Sequence, residues 1–278
     1  MKVQEAVRLV QLRIRPAAME EDFQQAKELV GFVMGIAPSA LSIHGGMEVP
    51  EEDLMRLGEL SDRRLGGEPL QYLLGEWEFM GLPMLTREGV LIPRQDTETL
   101  CIEAEDLIQQ NGYRTVLDLC CGSGCIGIAL QKRTGVSSVT SVDIDERCVE
   151  LTKENAELNE SMLTIKQGDL FTPVSGLQFD LICCNPPYLT AEDMESLQKE
   201  VTFEPKLALF GGEDGLDFYR RIAAEYRTYL HPDGALVMEI GCNQGEAVLN
   251  LFPGSKLKND LNGNPRVVVC RRSREDTL

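Results

Sequence analysis

The chain has 278 residues, 43% of them apolar and 26% charged, so it can bury a substantial core and does not have the composition of a disordered protein. Its formal charge of −18 at pH 7 disfavours non-specific attraction to DNA or to an anionic membrane. The amino terminus lacks the apolar core and cleavage site of a secretory signal, and no apolar stretch reaches the ~20 residues that span a bilayer, which predicts a cytoplasmic protein.

Residues 1–75 have the periodicity of packed helices. Apolar residues recur at helical spacing in three stretches: Val3, Val7 and Val10; Phe23, Ala26, Val30 and Val33; Leu54, Leu57 and Leu65. Breaks between helices are expected at Pro16, at residues 37–39 and at residues 45–46. We predict a small helical domain over residues 1–75, and its role is either substrate docking or stabilisation of the remaining chain.

Residues 76–95 predict a β-hairpin linker. Its strand-like runs cover residues 76–80 and 83–86, with Gly81 between them. A helix is expected next, over residues 97–110, with Asp96 or Thr97 as its N-cap.

From residue 96 to residue 278, strands and helices alternate. The predicted strands cover residues 115–121, 139–144, 163–167, 179–184, 235–240, 256–259 and 267–270. The further predicted helices cover residues 125–133, 146–158, 216–230 and 245–251. This alternation indicates an α/β domain with a mostly parallel, doubly wound sheet. Such a sheet binds ligands at the carboxyl ends of its strands, where the strand order reverses.

A glycine-rich turn follows the first of these strands. The turn comprises Cys120, Cys121, Gly122, Ser123 and Gly124, and a helix is predicted directly after it. Asp143 lies near the end of the next strand, at a distance along the chain that suits hydrogen bonds to the hydroxyls of a ribose. Because Gly122, Gly124 and Gly127 also satisfy the dinucleotide G-x-G-x-x-G pattern, these features alone leave a nicotinamide cofactor open.

The fourth strand runs into Asn185, Pro186, Pro187 and Tyr188, which is the most informative motif of the chain. The side-chain oxygen of Asn185 and the carbonyl of Pro186 can accept the two protons of a planar NH2 group, while the prolines stiffen the backbone. Tyr188 can pack against the bound amide. This arrangement predicts methyl transfer to an NH2 group by alignment of the reacting atoms.

Two further residues are candidate cofactor contacts. Asp169 and Leu170 follow the third strand, where the adenine of a cofactor would lie, although a turn or cap explains Asp169 equally well. Arg94 and Asp96 precede the long helix, and a salt bridge with a helix cap explains them at least as well as a catalytic role.

The nine cysteines are expected to be small buried residues. Several lie in apolar, strand-like runs, and no Cys-x-x-Cys pair occurs. Since only two histidines accompany them, no metal site is expected.

Taken together, the motifs resemble the release factor glutamine methyltransferases, bacterial enzymes that methylate the glutamine of the Gly-Gly-Gln motif in class 1 peptide-chain release factors. The resembling segments are residues 67–72, 75–76, 91–98, 120–124, 143, 185–188, 203–205, 208–209, 215, 244–247 and 264–266. One departure is Cys120, which stands where the family usually has the first glycine of the loop.

The resemblance implies a helical domain that contacts the release factor, a hairpin linker, and a Rossmann-like seven-stranded class I methyltransferase domain. It implies S-adenosylmethionine as cofactor, with contacts from residues 120–124, Asp143, Leu170 and Asn185. It also implies that Asn185, Pro186, Pro187 and Tyr188 contact the glutamine.

Four alternatives remain at this point. A glutamine methyltransferase for a ribosomal protein would share every motif. An adenine-N6 DNA methyltransferase would also use Asn-Pro-Pro-Tyr, but the charge and the lack of an evident basic recognition domain disfavour it. A non-catalytic adaptor of the same fold and a nicotinamide dehydrogenase complete the set.

Overall fold

The structure, a computed structural model, describes residues 1–18 and 21–272. These residues form two compact units. The first unit comprises Met1–Glu76 together with Gln198–Phe203, and the second comprises Trp77–Leu197 and the described chain from Glu204 onward. In the described part of the chain, no helix has the length and apolar character needed to cross a membrane.

The first unit is helical, as its periodicity predicts. Its helices are α1 (Val3–Ala18), α2 (Asp22–Met34), α3 (Glu51–Leu65) and α4 (Leu70–Leu74). Helix α1 packs against both α2 and α3, and its apolar face is buried. Short 3₁₀ turns at Pro38–Ala40 and Val201–Phe203 complete the unit.

Three details of the helical prediction are wrong. Helix α1 does not break at Pro16, because a proline in the last turn removes only one backbone hydrogen bond. Phe23 and Leu65 are 53% and 40% exposed instead of buried. Phe23 lies at the edge of the buried face of α2, where the ammonium of Lys27 is 5.3 Å from the centre of its ring.

A buried arginine ties the first unit together. Arg64 is fully buried, and its guanidinium donates to Gln25 Oε1 at 2.8 Å and to the carbonyls of Ala17 and Glu68, each at 3.3 Å. It also forms an ion pair with Glu200, which belongs to the Gln198–Phe203 segment. Removing the guanidinium would leave several acceptors without their donor.

The predicted hairpin has strands β1 (Glu76–Phe79) and β2 (Leu82–Leu85), and all of it except Glu76 belongs to the second unit. Two asparagines hold the hairpin: Asn155 of helix α7 (Glu146–Leu158), and Asn159, which directly follows this helix. Asn155 Oδ1 accepts from the backbone N–H of Leu85 at 2.6 Å, and Asn159 Nδ2 donates to the carbonyl of Pro83 at 2.7 Å. The hairpin therefore packs on the α/β unit.

A seven-stranded, mostly parallel sheet forms the centre of the second unit, which confirms the predicted fold class. Its strands are β3 (Thr115–Leu119), β4 (Ser138–Asp143), β5 (Leu163–Gln167), β6 (Phe179–Cys184), β7 (Leu230–Glu239), β8 (Lys256–Asn259) and β9 (Pro265–Arg271). Their order is β5-β4-β3-β6-β7-β9-β8, and β9 pairs antiparallel with β7 and β8. The order reverses between β3 and β6, so the expected ligand site lies at the carboxyl ends of these two strands.

Helices cover both faces of this sheet. Besides α7 they are α5 (Gln95–Asn111), α6 (Cys125–Thr134), α8 (Ala191–Glu195), α9 (Lys206–Leu209), α10 (Asp217–Glu225) and α11 (Gly245–Leu251). Two apolar clusters form the core, one on each side of the sheet. Seven of the nine cysteines are buried and all nine are free, as expected for small apolar residues, while Cys120 is half-buried and Cys242 is exposed.

Several boundaries differ from the prediction: β3 ends at Leu119 and not at residue 121, and β9 covers Pro265–Arg271 and not residues 267–270. Helix α5 begins at Gln95 after the extended residue Arg94, so neither Asp96 nor Thr97 is its N-cap. The helix predicted over residues 216–230 ends at Glu225, a 3₁₀ turn follows at Tyr226–Tyr229, and β7 already begins at Leu230. The early start of β7 reflects a register irregularity between Phe179 and Leu181 of β6, which admits extra residues into the strand.

Candidate active site

The glycine-rich turn connects β3 to α6 with three residues in the left-handed backbone region. Cys120, Gly122 and Gly124 have φ angles of +56°, +56° and +79°. A side chain at such a φ costs about 1–2 kcal/mol, so Cys120 adopts the geometry that a glycine would adopt more easily. The turn is fixed by hydrogen bonds from Cys121 N to the Val142 carbonyl at 3.1 Å and from Gly124 N to the Cys121 carbonyl at 2.7 Å.

Asp143 lies at the carboxyl end of β4, directly beside this turn. Its Oδ2 accepts from the backbone N–H of Gly122 at 2.9 Å, and its Oδ1 accepts from that of Asp145 at 3.0 Å. Burial raises the pKa of the carboxyl, while the two backbone hydrogen bonds oppose this effect. A carboxylate has about four acceptor sites, so acceptor capacity remains for a hydroxyl group of a ligand.

A cavity opens above the turn, at the point where the strand order reverses. It encloses about 660 Å³, a volume that includes its open mouth. The predicted site residues that line it are Cys120, Gly122, Asp143, Asp169, Leu170, Asn185 and Pro187. A Cβ atom built on Gly122 would meet nothing within 4 Å, so the backbone of the turn faces open space.

The cavity walls are largely apolar. Leu170 is buried on one side, and Leu91 and Leu207 contribute to the lining. Asp169 is half-exposed and pairs with Arg221 at 2.6 Å, so its carboxylate is already engaged in a surface ion pair.

A smaller cavity adjoins the first and shares Leu91, Cys120, Gly122 and Asn185 with it. It also contains Cys121 and Ser123 of the turn, so Asn185 lies at the wall of both cavities. Within the described chain, three predicted site residues lie outside both linings: Gly124, Pro186 and Tyr188.

Asn185 follows the last residue of β6, and the backbone beyond it is held tightly. A Cβ atom on Gly211 would lie 2.6 Å from the carbonyl oxygen of Pro187, so only a glycine allows this approach. Gln244 Nε2 donates to the carbonyl of Tyr188 at 2.9 Å. The Asn-Pro-Pro-Tyr segment is therefore held in place by contacts within the protein.

Two buried residues behind this segment, Thr97 and Glu239, are not among the predicted site residues. Thr97 Oγ1 accepts from Asn185 Nδ2 at 3.2 Å and donates to Glu239 Oε2 at 2.6 Å. Tyr188 donates its hydroxyl proton to Glu239 Oε1 at 3.2 Å. Burial raises the pKa of Glu239, whereas hydrogen bonds and the charge of Arg266 oppose the rise. The sequence contains one signal for Glu239: it is a charged residue near the end of the apolar strand predicted at residues 235–240.

Arg94 and Asp96 form ion pairs in the second unit. Arg94 pairs with the buried carboxylate of Glu204, and it lines the smaller cavity. Asp96 is 3.0 Å from Arg266 Nη2. Across residues 1–18 and 21–272, no group of three or more His, Cys, Asp or Glu side chains is placed to hold a metal ion.

Comparison with known proteins gives two family matches. Residues 5–75 match the PrmC N-terminal domain, and residues 102–205 match the Methyltransferase small domain. The chain is 40% identical over 249 residues to a release factor glutamine methyltransferase of Geobacter sulfurreducens, covering 87% of each chain. It is 33% identical over 282 residues to one of Clostridium acetobutylicum, covering 98% of this chain and 99% of the relative.

Solved structures share the fold at low sequence identity. The catalytic domain of hMettl16 in complex with an RNA hairpin gives a TM-score of 0.55 at 16% identity, over 79% of this chain and 81% of that one. A Thermus thermophilus 16S rRNA methyltransferase in complex with AdoMet and guanosine gives 0.52 at 16% identity, over 71% of this chain and 49% of that one. These similarities establish a class I methyltransferase fold.

Proposed function

The chain belongs to the release factor glutamine methyltransferase family, and from this premise we propose that it methylates the side-chain amide nitrogen of the glutamine in the Gly-Gly-Gln motif of class 1 release factors. The enzyme is a methyltransferase that uses S-adenosylmethionine. The observation that carries the proposal is the position of Asn185, at the wall of the cavity that the glycine-rich turn and Asp143 also line.

The residues of the cavity fit this cofactor. Asp143 has acceptor capacity for the ribose hydroxyls, and the open space over Gly122 allows a ligand to approach the backbone. Leu170 supplies an apolar surface for a purine ring, and Asp169 stands next to it at the rim. The cofactor, when bound, supplies an electrophilic methyl group on a sulfonium.

The chain's own contribution is to orient the nucleophile. An amide nitrogen is weakly nucleophilic because its lone pair is delocalised into the carbonyl, so alignment with the methyl group and the sulfur is the main requirement. Asn185 Oδ1 and the Pro186 carbonyl accept the two N–H groups of the glutamine amide. When the C–N bond forms, the carbon–sulfur bond of the sulfonium would break to leave a neutral thioether, and the nitrogen would give up one proton to water. Pro187, which lines the larger cavity, bounds the space around the amide, and the hydroxyl of Tyr188 is bonded to Glu239.

In the same proposal, the helical residues 1–75 dock the release factor, residues 76–95 link them to the rest, and residues 96–278 carry the reaction. The reaction takes place in the cytoplasm, and neither DNA nor a membrane is a partner. The net charge of −18 supports this choice, because an acidic protein is not attracted to polyanions.

The test combines a substrate comparison with a variant. Purified protein is incubated with tritiated S-adenosylmethionine and, separately, with unmethylated release factor, ribosomal protein and duplex DNA, and the label is located by mass spectrometry. Label on the Gly-Gly-Gln glutamine is expected. Label on a ribosomal protein or on adenine would refute the proposed substrate, and cofactor binding without any transfer would favour the adaptor.

Asn185→Ala should lower turnover by about a hundredfold or more, because the amide is no longer oriented. Asn111→Ala is the matched control, since Asn111 bonds only the Leu107 carbonyl at the end of α5, at 2.7 Å. Circular dichroism verifies that both variants fold. Wild-type turnover in Asn185→Ala would rule out the positioning mechanism.

A further inference from the structure

Three side chains form a chain of hydrogen bonds that ends at the reaction centre. Glu239 lies at the carboxyl end of β7 and is 1% exposed. Thr97 lies on α5, and its hydroxyl joins the carboxylate of Glu239, at 2.6 Å, to the side-chain amide of Asn185, at 3.2 Å. All three residues belong to the second unit.

The carboxylate determines the direction of every bond in this chain. A carboxylate only accepts hydrogen bonds, and a threonine hydroxyl has a single proton. The proton of Thr97 is therefore committed to Glu239, and the oxygen of Thr97 can only accept from Asn185. Asn185 must turn its Nδ2 towards Thr97, which leaves its Oδ1 on the opposite side of the amide plane.

The same chemistry disfavours the reverse orientation of Asn185. With its amide flipped, Oδ1 would face the lone pairs of Thr97 Oγ1, so two acceptors would stand at hydrogen-bond distance without a proton between them. Such a buried, unsatisfied contact disfavours the flipped state by roughly tenfold or more. The orientation of an asparagine amide follows from its hydrogen-bond network, and here the network allows one orientation.

The position of Glu239 is itself fixed on two sides. Tyr188 donates its hydroxyl proton to Oε1 at 3.2 Å, and Tyr219 donates its own to the backbone carbonyl of Glu239 at 2.9 Å. One buried carboxylate thus holds Asn185, through Thr97, and Tyr188 directly.

We propose that Glu239 and Thr97 are positioning residues that hold Asn185 with its Oδ1 facing the substrate, and that this polarity makes the site select an amide over a carboxylate. The inference rests on the proposed function, because it assigns Asn185 to the glutamine amide. An oxygen presented at this position attracts the N–H of a glutamine and repels the carboxylate oxygen of a glutamate.

Thr97→Val tests the polarity directly. Valine keeps the shape of threonine but neither donates nor accepts, so both orientations of Asn185 become accessible. Turnover of the release factor should fall by about twofold, because the productive orientation drops to about half of the population, with the affinity for S-adenosylmethionine in calorimetry unchanged. Thr97→Ser restores the hydroxyl and should recover most of the lost turnover. Thr134→Val is the control, because the hydroxyl of Thr134 bonds the Leu130 carbonyl within α6.

The decisive readout is inhibition by a release factor whose Gly-Gly-Gln glutamine is replaced by glutamate. In Thr97→Val, the flipped Asn185 offers Nδ2 to the carboxylate. The affinity for this inhibitor, divided by the affinity for the glutamine substrate, should therefore rise by roughly tenfold. Glu239→Gln should shift this ratio in the same direction, because a glutamine at this position can donate to Thr97 and release the hydroxyl proton towards Asn185.

A purely structural defect would weaken substrate and inhibitor equally and leave their ratio unchanged. A wild-type ratio in Thr97→Val, or a Thr97→Ser variant as slow as Thr97→Val, would therefore overturn the inference while leaving the proposed function intact. A wild-type enzyme that does not methylate the release factor would overturn both.

Discussion

Asp118 allows a test of how burial in the core changes the pKa of a carboxyl group. It lies in β3, fully buried, with Oδ2 accepting from the Gly127 N–H at 3.1 Å. Its Oδ1 has no hydrogen-bond partner among the described residues. Burial is the main cause that raises the pKa of Asp118 from 3.8 to about 7.

The sign of the effect follows from these two pKa values. Between about pH 4 and pH 7 the folded protein keeps a proton on Asp118 that the unfolded chain releases, so stability falls as the pH rises through this window. Over the whole titration, the free energy of unfolding falls by about 4 kcal/mol, and about 2.5 kcal/mol of this loss occurs between pH 5 and pH 8. Above pH 8 both states are ionised and the loss is complete.

The assay is urea denaturation of the wild type and Asp118→Asn at pH 5 and pH 8. The neutral amide does not titrate, so from pH 5 to pH 8 the variant should gain about 2.5 kcal/mol relative to the wild type. Asp180→Asn is the control. At Asp180 burial raises the pKa, but hydrogen bonds from Arg114 N and Thr115 N outweigh it and the pKa is lowered.

Because both pKa values of Asp180 lie below pH 5, the difference between Asp180→Asn and the wild type should not change over the same interval. If the difference in free energy of unfolding between Asp118→Asn and the wild type did not change with pH, or changed with the opposite sign, the reasoning from burial would be refuted.

Three further substitutions test the cofactor site and the packing of each unit. Asp143→Ala removes the carboxylate that braces the turn, and calorimetry should show S-adenosylmethionine affinity lower by about tenfold or more. Arg64→Leu should cost the helical unit about 2–4 kcal/mol in chemical denaturation, since several acceptors lose their donor; an unchanged midpoint would contradict this. Gly124→Ala would place a Cβ 2.6 Å from Thr152 Cγ2 and should lower stability by about 1–3 kcal/mol, more than Gly135→Ala, which has a similar φ but open space around it.

The α/β sheet could be predicted because its strands are short, apolar and separated by turns. Strands β5, β6 and β8 begin and end at the predicted residues, and β6 is an almost continuous apolar run. The start of β7 could not be predicted in the same way, since residues 230–234 join the sheet through a register irregularity with β6. Such pairing depends on the partner strand and leaves no local signal.

The candidate site was predictable to a similar degree. The turn, Asp143 and Asn185 sit at strand ends, where the topology brings them to one edge, and the structure places them on one cavity. Thr97 was read as a helix cap from its neighbours, but its hydroxyl is engaged by Glu239, 142 positions along the chain. A local rule cannot identify a partner at that distance.

The ion pair between Arg64 and Glu200 has a consequence for synthesis on the ribosome. The two residues are 136 positions apart, so the helical unit that emerges first lacks one of its own parts until the strands of the other unit have been made. At about 5–20 residues per second, this interval is roughly ten seconds or longer. The amino-terminal helices therefore gain the partner of Arg64 only after residue 200 has been made, well after the rest of their unit.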